Sequence, residues 1–140
     1  MRIYLSTEQP EDTTYIWANS LPMLDSLSLD SESLEIVCKN FISSFEYSDI
    51  RPLLQRIYKK MRLGCKLTIF EKDIDLLCRS FYVEELDINT INQILFSLQK
   101  RKSVFNITDI ESSLPSGIQV THKHYESGDC SFILKCKRVS

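Results

Sequence analysis

The 140-residue chain is long enough for one hydrophobic core and too short for two. Its formal net charge of -2, with 43% hydrophobic and 26% charged residues, suits an ordinary globular domain and carries no electrostatic footprint for nucleic acid. No run approaches the roughly 18 apolar residues of a membrane span, and the opening Met1-Arg2-Ile3-Tyr4-Leu5-Ser6 holds no apolar signal core. The expectation is a cytoplasmic protein with neither membrane nor nucleic-acid partners.

In chain order, residues 2–6 form a short β-rich run that predicts a strand. Residues 7–14 are polar, contain Pro10, and read as a loop. Residues 13–17, β-branched and aromatic, predict a second short strand. Residues 18–33 are Ser/Asp-rich, contain Pro22, and show no periodicity that assigns them. Leu34-Glu35-Ile36-Val37-Cys38 is a compact apolar run bounded by turn-formers, as a buried parallel strand would be. Ser48 or Asp49 then caps a helix whose apolar residues Ile50, Leu53, Leu54, Ile57, Tyr58 and Met61 recur at helical spacing. Basic residues Arg56, Lys59, Lys60 and Arg62 suit the end of that helix, and Gly64 is the expected stop.

Lys66-Leu67-Thr68-Ile69-Phe70 predicts the next buried strand, followed by helices over residues 73–81 and 89–99 and a third helical segment within 103–114, opened by Asn106 or Thr108. The helix over 89–99 places Ile91, Ile94, Leu95 and Leu98 on one face. The basic triplet Lys100-Arg101-Lys102 reads as a solvated loop. Residues 118–125 and 130–137 alternate about Ser127-Gly128-Asp129 and predict a β-hairpin. Strands alternating with helices, closed by a hairpin, argue an α/β sheet with right-handed crossovers and an antiparallel C-terminal edge. The five cysteines form no C-x-x-C pair, and His122 and His124 sit in a strand pattern, so no metal site is expected and the cysteines read as small buried hydrophobes.

Several segments, in order, resemble one family. Asp25, then Leu27-Ser28-Leu29, Asp30-Ser31-Glu32-Ser33 and Leu34-Glu35-Ile36-Val37 are similar to an acid, a Leu-Pro-Phe-like tripeptide, an acidic turn and a strand. Asn40-Phe41-Ile42-Ser43-Ser44-Phe45 stands where that family often ends a segment in Glu-His. Residues 49–67 resemble its helix and Arg-Val-Leu-Lys-Pro-Gly-Gly turn, Asp73-Ile74-Asp75 its Asp-rich strand end, and Lys102-Ser103-Val104-Phe105 its His-Lys-Ser-Phe-like segment. Residues 130–138 resemble its last strand. The family is the class I S-adenosylmethionine-dependent methyltransferases, of the type 11-like kind met among cell-envelope and phage-borne enzymes. The resemblance runs from about residue 24 to residue 138 and implies a shortened Rossmann-like α/β sheet, mostly parallel, with a C-terminal antiparallel hairpin and helices mainly on one face.

That family grips its cofactor with a glycine-rich loop after the first strand and an acid at the end of the second. The glycines here are Gly64, Gly117 and Gly128, and the loop position holds Ser6-Thr7-Glu8-Gln9-Pro10. About 28 residues separate the opening strand from Leu34, too few for two complete βα units at roughly 1.5 Å per helical and 3.3 Å per strand residue. The reading is therefore one methyltransferase-like domain over 1–140, with 1–33 a degenerate remnant of the cofactor half and 34–140 the retained half. No catalytic residue is assigned, and Asp25 is the single candidate cofactor contact. The chain alone is expected to hold no cofactor, S-adenosylmethionine entering only where another chain completes the site. The expected partners are a second copy or a full-length methyltransferase-like protein, covering a sheet face left without helices. The expected role is noncatalytic, the alternative an active methyltransferase on a sugar or envelope metabolite.

Overall fold

In the computed structural model, which describes residues 1–97 and 101–140, one six-stranded sheet runs in the order β2-β1-β3-β4-β6-β5. Its strands are β1 (Arg2–Ser6), β2 (Ile16–Ala18), β3 (Ser33–Lys39), β4 (Met61–Lys72), β5 (Ile118–Glu126) and β6 (Ser131–Arg138). The first four pair in parallel, whereas β6 joins β4 and β5 antiparallel. The helices are α1 (Leu21–Leu27), α2 (Ile50–Lys60), α3 (Ile74–Tyr82), α4 (Ile88–Phe96) and α5 (Ile107–Ser113).

The register explains the packing. Ile3, Ile36, Leu67 and Cys136 lie side by side across the sheet, with Leu5, Cys38, Ile69 and Leu134 two residues further on. Side chains of like register share a face, and all eight are buried. Against them pack Leu21 and Leu24 of α1, Ile50, Leu53, Leu54 and Ile57 of α2, and Ile107 and Ile110 of α5, in one core. The opposite face carries Arg2, Glu35, Lys66 and Lys137 in one row, then Tyr4, Val37, Thr68 and Lys135 in the next. Only residues 12–15 reach over it near β1: Tyr15 stacks edge-on with Tyr4 at 5.6 Å and bonds Glu35 at 2.8 Å, and Arg2 pairs with Glu35 at 3.0 Å. Helices thus cover mainly one face. The other face is mixed: charged Arg2, Glu35, Lys39, Lys66, Lys135 and Lys137 alternate with Tyr4, the buried Val37, Phe70 and Ile133.

Local chemistry shifts several boundaries. Ser20 accepts from Met23 N and, with Pro22 in the first turn, starts α1 in the stretch that periodicity leaves unassigned. The second strand falls at Ile16–Ala18 rather than over 13–17. α2 ends at Lys60 and β4 begins at once with Met61, so Gly64 caps no helix. It sits at φ +83° where the register jumps from Ser33/Met61 to Glu35/Lys66, so residues 62–64 bulge out of β4. Asp49 stands at the head of α2 but makes no side-chain cap bond. Asn106 opens α5 with a reciprocal capping box to Asp109. Of the expected helix over 89–99 the described part is α4, and Leu98, Gln99 and Lys100 lie outside the described residues. Cys38, Cys65, Cys130 and Cys136 are buried free thiols and Cys78 is exposed. Burial pushes the Cys65 thiol up to about 11 and the Cys136 thiol up to about 12.

Asp73 ties the end of β4 to both neighbouring helices. Fully buried, it accepts from Asp75 N at 2.9 Å and Leu76 N at 3.1 Å to cap α3, and from Ile107 N at 3.2 Å in the first turn of α5. Removing it orphans three N–H groups, so Asp73→Ala should cost about 2–4 kcal/mol in urea unfolding, and Asp73→Asn distinctly less, since the amide oxygen still accepts.

Candidate functional site

Strand order reverses between β1, which continues outward to β2, and β3, which continues the other way to β4. In open α/β sheets ligands bind outside the carboxyl ends of the strands at such a switch point. Here it forms a crevice of about 450 Å³ lined by Tyr4, Ser6, Glu8, Asp12, Lys39 and Asn40 among others. Its floor is the loop after β1. The Ser6 hydroxyl donates to the Glu8 carbonyl, Trp17 Nε1 donates to the Ser6 carbonyl at 3.2 Å, and Asp12 accepts from Thr14 N at 2.9 Å. The loop is therefore held by its own side chains. It leads into β2 without an intervening helix.

This geometry does not fit an adenosyl cofactor as a glycine cradle does. Each of residues 6–12 carries a side chain, no helix N-terminus faces the crevice from β1, and residues 13–24 contain no carboxylate to hold a ribose. Glu8, Glu11 and Asp12 outnumber Lys39 along the lining. Asp25 lies elsewhere. On α1 it pairs with Arg56 and, at 3.4 Å, with Lys60 in the last turns of α2, at the sheet end where β4 starts. It is not brought together with the crevice residues.

A second cluster, at the carboxyl ends of β3 and β4, escapes the sequence reading. The alternation of β4 points Leu67, Ile69 and Glu71 inward, so Glu71 takes a core position. Ser43 Oγ donates to Glu71 Oε1 at 2.8 Å and Ser43 N to Oε2 at 3.3 Å. Burial raises this carboxyl to about 7, with the Ser43 bond and the Arg101 charge pulling the other way. Residues 102 and 103 lie against the cluster, since Lys102 N and Ser103 N donate to the Ser43 carbonyl at 2.7 and 3.1 Å. Arg101 is no solvated loop residue: its Nε and Nη2, like Ser103 Oγ, are buried without a partner among the described residues. Ser43 and Lys102-Ser103 stood out as motif positions in the sequence, and the signal for Glu71 was a carboxylate at an inward position of a strand. Among the described residues no three His, Cys, Asp or Glu side chains group as a metal site, and no helix is long and apolar enough to cross a membrane.

Glu71 gives stability a pH dependence with a definite sign. Its folded-state pKa, about 7, lies above the ordinary 4.5, so stability is fully present below pH ~4.5 and is lost as pH rises through ~7. Between pH 5 and 8 the wild type should lose on the order of 2–3 kcal/mol relative to Glu71→Gln, measured by denaturant unfolding across pH. Parallel curves for the two proteins would refute this.

No family model and no curated protein matches the sequence. Solved structures do. A protein of Pyrococcus horikoshii superposes with a TM-score of 0.60 at 17% identity, over 89% of this chain and 58% of its own. Magnesium protoporphyrin IX methyltransferase from Synechocystis, with S-adenosylhomocysteine bound, gives 0.56 at 11% identity, over 89% of this chain and 50% of its own. A SAM-dependent methyltransferase of Thermotoga maritima gives 0.54 at 14% identity, over 80% and 59%. The chain spans little more than half the length of these proteins. With its switch-point sheet and antiparallel terminal pair, it has the fold of the class I S-adenosylmethionine-dependent methyltransferases.

Proposed function

We propose that this chain is a noncatalytic module with a methyltransferase fold, acting through protein contacts as a regulatory or structural subunit and carrying no S-adenosylmethionine by itself. The observation that carries this reading is the connection from β1 to β2. Where the fold's cofactor loop and its helix would offer glycines and free N–H groups, residues 7–15 form a self-bonded loop rich in carboxylates. Catalysis by a bound methyl donor needs the donor fixed against its acceptor, and this loop offers nothing to fix it. The sheet face away from α1, α2 and α5 supports the same reading, because its mixed charged and apolar positions leave room for a second chain to supply cover.

The alternative is a methyltransferase acting on a sugar or envelope metabolite whose site a partner completes. The crevice at the switch point and the Glu71 carboxyl, which titrates near neutrality, favour it. Calorimetric titration of the folded chain with S-adenosylmethionine, and separately with S-adenosylhomocysteine, should give no saturable heat. Saturable binding by the isolated chain at up to about 1 mM, a free energy near -4 kcal/mol, would overturn the module reading.

A further inference from the structure

The two ends of β4 carry exposed apolar features of opposite charge. At its carboxyl end, α3 and α4 contact each other, and among the described residues α4 has none that is buried. Between them lies a groove of about 640 Å³ lined by Cys78, Phe81, Tyr82, Leu86 and Ile88. Phe81 is 46% exposed, Tyr82 87% and Ile88 60%, far more apolar surface than scattered single residues account for. Its rim is acidic: Glu84 and Asp87 line it, Glu85 stands beside them, and none of the three forms an ion pair among the described residues.

At the amino end of β4 the bulge of residues 62–64 projects from the sheet with Leu63 66% exposed at its tip. Lys59 in the last turn of α2, Arg62 in the bulge and Lys66 just after it are exposed and likewise without ion pairs among the described residues, Lys66 standing in register with Glu35. The nearby Asp30 is already engaged by Lys60 at 3.2 Å. An apolar bulge with cations beside it, Lys66 next to Glu35, thus complements an apolar groove edged by Glu84, Glu85 and Asp87, the last also capping α4 through Thr90 N at 2.7 Å. At 3.3 Å per strand residue the two lie on the order of 30 Å apart, so a chain cannot fill its own groove.

We propose that the groove between α3 and α4 receives the Arg62-Leu63-Gly64 bulge of a second copy of this chain, giving head-to-tail association. Leu63 enters between Phe81, Tyr82 and Ile88, while Arg62, Lys59 and Lys66 face Glu84, Glu85 and Asp87. Such a contact is heterologous: each copy uses one surface and offers the other, so copies add in series until a ring closes or growth continues. Charge complementarity sets the orientation, and the apolar contact supplies the affinity. The inference rests on the reading of this chain as a protein-contact module and specifies the surface that makes the contact.

Sedimentation of the full-length chain between about 5 and 500 µM, the range of weak protein association, should show mass rising with concentration. Leu63→Asp and Ile88→Asp alter exposed positions, and an acid at the first turn of α4 suits the helix dipole, so circular dichroism should show both folded. Each variant alone should associate at least about tenfold more weakly, a loss above roughly 1.4 kcal/mol. An equimolar mixture of the two should form a 1:1 dimer that grows no further, because one intact groove and one intact bulge remain. A wild type that stays monomeric throughout, a mixture that stays monomeric, or variants that associate like the wild type would each overturn the proposal. The calorimetric result with S-adenosylmethionine is independent of these outcomes, so a failed contact and a failed module reading are told apart.

Discussion

The one-sided burial of the sheet is the constraint on which everything else rests. Ile3, Leu5, Ile36, Cys38, Leu67, Ile69, Leu134 and Cys136 form a continuous apolar surface across four strands, and α1, α2 and α5 all pack on it. At roughly 25 cal/mol per Å² of apolar area removed from water, this face is the main favourable term for a domain of this size. Parallel sheets in α/β proteins are usually covered on both sides. The core helices α1, α2 and α5 pack on one side, and the other side bears Arg2, Glu35, Lys39, Lys66 and Lys135 at positions that would otherwise meet a second helical layer.

The same asymmetry shapes the carboxyl ends of the strands. On the β1 side the connection is a loop held by Ser6, Asp12 and Trp17, which keeps the switch-point crevice and fills its edge with side chains. On the β4 side the core face continues into Glu71, a carboxyl kept close to neutral by burial and bonded by Ser43. Asp73, two residues on, lies fully buried and holds three backbone N–H groups. Glu71 is therefore the proton-sensitive acid of this strand end, and Asp73 its hydrogen-bonding cap. The strand end combines a proton-sensitive core position with a rigid anchor for α3 and α5.

Fold and function separate cleanly in this molecule. The superpositions at 11–17% identity show the fold of the methyltransferases, and a shared fold does not transfer a chemistry. The features on which the proposed role rests are this chain's own: a self-bonded loop after β1, charged positions on the sheet face away from the core helices, and exposed apolar side chains near the two ends of β4.

Sequence alone determined the elements whose signals are local. The helical spacing of Ile50, Leu53, Leu54 and Ile57, the Asn106 cap, and the hairpin about Gly128 each arise from contacts within a few residues and are written in those residues. The family likeness, carried by ordered short motifs, likewise pointed to the sheet that is found. Short or abrupt elements were not legible. α1 is a seven-residue helix in Ser/Asp-rich sequence, and α2 passes into β4 with no turn residue, so Gly64 passes for a helix stop although it serves a bulge. Only the tertiary structure decided which strand face is buried, and therefore that Glu71 is a core carboxyl, that two guanidinium nitrogens of Arg101 are buried, and that Asp25 serves a helix pair rather than the crevice. Those outcomes depend on burial and charge between residues distant in sequence, such as Ser43 and Glu71 or Asp25 and Arg56, which no local pattern records.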